Sequence, residues 1–152
     1  MGFSIIGLIT AASIFLPNLI FIMVPPRNVP ENLKDAGLLF TLSERAGQAG
    51  CLIVPVLSRD NYQNAGIDVW FVLMALCIIF YYGLWGKYIL KGHAFSLAFV
   101  PLGFIPVPMA VFPVLAFGFA ALWGQSVILG IAVIFLAVGH LANSWHTYKS
   151  IK

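Results

Sequence analysis

From Gly92 to Tyr148 the chain runs for 57 residues without an Asp, Glu, Lys or Arg. A stretch of that length supplies two helices of about 20 residues each with a turn between them, enough to cross a hydrocarbon core of about 30 Å twice. The rest of the chain is of the same kind. Hydrophobic residues make up 61% and charged residues 9% of the 152, against about 45–50% and about 25% in soluble domains. A water-soluble fold of this size has too little interior to hide that much apolar surface, so the sequence predicts an all-α, polytopic integral membrane helix bundle forming a single domain over 1–152.

Polar punctuation divides the apolar sequence into five expected spans: Phe3 to Val24, Leu38 to Leu57, Ile67 to Leu90, Val107 to Leu122, and Ser126 to about Leu141. The first lacks a basic leader and is long enough to span, so it reads as a retained helix rather than a signal peptide. The loop from Pro25 to Gly37 carries three prolines and reads as a stiff lip or a short interfacial helix begun at Pro30. Ahead of the fourth span the chain must bend. Ala94 to Trp123 as one straight helix of 30 residues would measure roughly 45 Å, and Pro101, Gly103, Pro106 and Pro108 mark where it breaks. The expectation is an interfacial or partly inserted segment over Ala94 to Ile105, followed by a helix begun near Pro106 or Pro108.

Basic residues set the expected orientation. Arg27, Lys34, Lys87, Lys91, Lys149 and Lys152 fall on one side of a five-span arrangement and only Arg59 on the other, which places the C-terminus in the cytoplasm of a plasma membrane and the N-terminus outside. The same arrangement puts Trp70 and Trp123 at the outer interface and Trp85 and Trp145 at the inner one, as in aromatic belts. The net charge of +3 is spread singly over loops and tail, so it makes no stripe for nucleic acid. Cys51 and Cys77 fall inside apolar segments and read as small buried hydrophobes. Neither they nor the histidines form a metal motif, and no cofactor is expected.

The second span carries the candidate chemistry. At about 100° per residue, Thr41, Glu44, Arg45 and Gln48 share one arc, while Ser43, Ala46, Gly47 and Gly50 occupy the opposite face, where small residues admit a neighbouring helix. This helix is therefore expected at the centre of the bundle. Charge at membrane depth costs about 2.5–3.5 kcal/mol for Asp or Arg on translocon scales, so Glu44 and Arg45 should find partners on other spans. Asn18, Tyr81, Tyr82 and His140 fall in the same cytoplasmic half and complete the candidate ligand- or ion-binding set with Glu44, Arg45 and Gln48. Asp68 reads as an N-terminal helix acid.

Three functions fit. One is a transporter or channel-like protein moving a small solute or ion through this polar layer. Another is an accessory or scaffold subunit of a larger membrane assembly, held by the small-residue face. The third, an intramembrane enzyme using Glu44 and His140 as base and acid, ranks last because no nucleophile motif accompanies them. The expected partners are the lipid bilayer and either further copies of the chain or a partner membrane protein. No nucleotide motif or soluble domain points to primary active transport by the chain alone.

Overall fold

The computed structural model describes residues 2–31, 33, 36–63 and 65–151. Lys34 and Lys152, two of the basic residues in the orientation argument, lie outside them. The described residues form an all-α fold without strands. Helix α1 (Ile5–Phe15) passes through a 3-10 turn (Leu16–Leu19) into the short α2 (Ile20–Met23). After it come α3 (Leu38–Leu57), the single turn α4 (Arg59–Tyr62), α5 (Val69–Leu90), a 3-10 turn (Phe95–Phe99), α6 (Pro108–Trp123) and α7 (Val127–Ser150).

Local chemistry explains the helix starts. Ser4, Asp68 and Ser126 each accept a hydrogen bond from a backbone N–H of the first turn of α1, α5 and α7, satisfying a donor that has no partner within the helix. Pro108 begins α6 where its missing N–H costs nothing. The proline-rich lead-in to α6 is broken as expected. It comprises the 3-10 turn, an extended stretch, and a tight turn at Gly103 (φ 58°) closed by reciprocal backbone bonds between Leu102 and Ile105. None of the described residues of the Pro25 loop is helical, and Asn32, Lys34 and Asp35, through which a helix begun at Pro30 would run, lie outside the described residues.

Among the described residues three segments are long and apolar enough to cross a membrane: Ile5–Met23, Val69–Leu90 and Val127–Ser150. Helix α3 has 20 residues but is diluted by Glu44, Arg45 and Gln48, and α6 has only 16 residues.

Helix α3 packs along α7, α7 against α6, α6 against α5, and α1 against both α3 and α6. The expectation that α3 is central is corrected by this arrangement. Only Gly47, Cys51 and Pro55 are buried in α3, whereas most of α6 is buried. The reason is compositional: α6 is apolar on every side and can be surrounded, while α3 meets α1 at Pro55, where a Cβ on Gly7 would run into the carbonyl, and turns its small-residue face to one further neighbour. That neighbour is α7. A Cβ at Gly47 would run into the backbone of Leu136, one at Gly139 into the backbone of Glu44 and Phe40, and one at Gly50 would come within 2.6 Å of the Ala132 methyl. The hydroxyl of Ser43 donates to the Phe135 carbonyl across the same seam at 2.8 Å.

The loops gather at two ends. At one, Arg27 exchanges backbone bonds with His93 and Phe95, and the Ala36 N–H donates to the Asn143 side chain. At the other, Gly2 and Ser4 donate to the carbonyls of Leu57 and Val56, and Asn61 donates to the Gly124 carbonyl. The four tryptophans differ in burial. Trp70 and Trp145 are exposed, but Trp85 (2% exposed) and Trp123 (9%) are core residues, with the Trp123 indole donating to the Gly66 carbonyl.

Candidate functional site

Glu44 sits at the edge of the α3 small-residue face, so the close approach that Gly47 and Gly139 permit delivers its carboxylate to α7. His140 Nδ1–H donates to Glu44 Oε1 at 2.7 Å and Asn143 Nδ2–H to Oε2 at 2.6 Å. An ionised carboxylate only accepts hydrogen bonds, which fixes His140 as the donor. Gln48, one turn further along α3, adds a long bond to Oε1 at 3.3 Å. Asn143 is itself oriented, because its Oδ1 accepts from the Ala36 N–H at 3.2 Å. Both carboxylate oxygens are thus held by N–H donors, and hydrogen bonds to an ionised acceptor are among the shorter and stronger ones. Glu44 and His140 are 19% and 27% exposed, so the pair is sheltered yet reachable.

A second polar group lies across the bundle. The Tyr81 hydroxyl donates to Asn18 Oδ1 at 2.7 Å, and Asn18 occupies the 3-10 turn that interrupts the first segment. A cavity of about 100 Å³ joins the two groups, with Asn18, Tyr81, Trp85, His140 and Ser144 on its walls. Of the seven candidate residues, Glu44, Gln48 and His140 meet directly, and Asn18 and Tyr81 join them through this cavity.

Arg45 and Tyr82 do not. Arg45 is exposed and makes no hydrogen bond or ion pair with the described residues, because position 45 is rotated about 100° from position 44 on a helix. Tyr82 is exposed and donates to the Ser13 carbonyl at 3.0 Å, which turns it away from the cavity on the same geometric ground. Asn143, Ser144 and Trp85 were not anticipated. Asn143 lies three residues beyond His140 and so on the same helical face, a signal hidden by ending the segment at Leu141 when α7 runs on to Ser150. Trp85 is expected at the inner interface from the five-span arrangement alone, which does not speak of its burial. Among the described residues no group of three His, Cys, Asp or Glu side chains comes together. The chain matches no family model, no curated protein and no solved structure.

Proposed function

We propose that the chain is a small membrane transport protein, with Glu44 and His140 as the proton-exchanging pair of a pathway for a small solute or ion. The observation that carries this reading is the pair itself. A carboxylate and an imidazole share a hydrogen bond of 2.7 Å beside a cavity, in a chain whose other ionisable side chains lie mainly in loops and ends. Ionisable groups within membrane segments are costly, and they mark proton relays and ion pathways. An imidazole has two ring nitrogens, so it can receive a proton on one and pass the proton of the other to the carboxylate.

The proposed placement is a five-span bundle in a plasma membrane, with α3 and α6 crossing alongside the three longer segments. The N-terminus lies outside and the C-terminus in the cytoplasm. The gathering of the Arg27, Lys91 and Lys149 ends of the chain supports this direction, since basic residues favour the cytoplasmic side. Further copies of the chain would complete the pathway, because five helices of this length enclose little room along their common axis.

Reconstitution into liposomes containing a trapped pH dye tests the reading. Collapse of an imposed pH gradient faster than in protein-free liposomes is the expected result. An unchanged rate would contradict transport and favour a structural polar lock between α3 and α7 in a scaffold subunit.

A further inference from the structure

Arg45 stands apart from the polar layer. It is exposed and makes no hydrogen bond or ion pair with the described residues, whereas Glu44 beside it is held by His140 and Asn143 of α7. At about 100° per residue, Leu38, Leu42, Ala49 and Leu52 share the Arg45 side of α3, and all four are exposed. The small-residue face that α7 takes lies on the other side of the helix.

An arginine is a fixed cation, and charge at membrane depth is costly unless it is paired or reaches the interface. In the five-span placement proposed above, on which this inference rests, α3 begins at the cytoplasmic side. Arg45 is its eighth residue, so its Cα lies about 10 Å inward of Leu38. Side chains lean toward the N-terminus of a helix. The arginine stem therefore runs back toward the cytoplasmic surface over apolar neighbours and brings its head to the depth of the lipid headgroups. The group that a lipid offers there is a phosphate, and a guanidinium fork matches two phosphate oxygens at once.

We propose that Arg45 binds the phosphate of an anionic phospholipid in the cytoplasmic leaflet, with the acyl chains of that lipid lying along Ala49 and Leu52. Arg27, Lys91 and Lys149 gather at the same end of the bundle and favour an anionic headgroup over a zwitterionic one. A second copy of the chain suits the face less well, because a symmetric contact through it would set two Arg45 charges against each other.

The test is native mass spectrometry of the full chain released from nanodiscs made of phosphatidylglycerol and phosphatidylcholine in equal amounts with the same acyl chains. The wild-type protein should retain phosphatidylglycerol in preference to phosphatidylcholine, and Arg45→Gln should lower that preference by about tenfold, the order expected for one charge-assisted pair. Equal retention of the two lipids by wild type, or an unchanged preference in Arg45→Gln, would overturn the inference. Displacement of the lipid by inorganic phosphate, or an Arg45-dependent dimer in place of bound lipid, would overturn it too. The placement of α3 is read separately, from a bimane label on Ala49→Cys, one turn further along the same face, which lipids with brominated chains should quench. Quenching without lipid preference removes the site and leaves α3 as a span. Absence of quenching removes the span and the site with it.

Discussion

Glu44 is defined by its neighbours more than by its depth. Two donors from α7 hold its oxygens, and one of those donors, Asn143, is held in turn by the Ala36 backbone. Removing Asn143 therefore strands groups on both sides. Asn143→Ala should lower stability by about 1–3 kcal/mol, the cost of leaving buried polar groups unsatisfied, measured as a drop in the detergent melting midpoint. Glu44→Leu should cost at least as much, since it leaves the donors of His140 and Asn143 facing a hydrocarbon side chain. Arg45→Gln should change the midpoint little, because Arg45 is exposed and makes no hydrogen bond or ion pair with the described residues. A larger loss from Arg45→Gln than from Asn143→Ala would contradict the assignment of partners.

The α3–α7 seam depends on the absence of side chains. Gly139→Ala places a methyl against the Glu44 backbone, which cannot yield as a flexible side chain would. Overpacking of this kind typically costs about 1–3 kcal/mol, and here it should also lengthen the Glu44–His140 contact. Thermal melting together with the His140 ring resonances checks both effects. A wild-type midpoint would refute the close seam. The α3 side of this packing was legible in the sequence, because Ser43, Gly47 and Gly50 recur at helical spacing. Glu44 was legible as a residue needing a partner, and His140 as one of its candidates. The identity of the close neighbour was not, since Gly139 stands alone in an apolar helix. Nor was the burial of α6, whose uniform apolarity is equally compatible with a lipid-facing and a protein-facing helix. Helix starts at Pro108 and Asp68 were readable because capping is local chemistry. The burial of Trp85 against Phe21 and Tyr88 is a tertiary outcome that no spacing encodes.

For the whole molecule, the two gathered ends define what labelling should find. Cysteine placed at Asn61 or Gln125 should react with an impermeant reagent from outside intact cells, while cysteine at Lys149 should react only after permeabilisation. The native Cys51 and Cys77 are buried and give little background. Labelling in the opposite sense would invert the proposed orientation. The central claim, that the Glu44–His140 pair exchanges a proton, rests on chemistry that one atom can remove. Glu44→Gln keeps the size of the side chain and an accepting oxygen for Asn143, with an amide that can donate to the His140 ring in its other tautomer, but it cannot gain or lose the proton. The direct measurement compares proton flux through liposomes carrying wild-type protein or Glu44→Gln, each shown to fold by its melting transition. The account predicts a folded variant whose flux is lower by about a hundredfold, the scale of a lost general acid–base step; a folded Glu44→Gln protein with undiminished flux would contradict it.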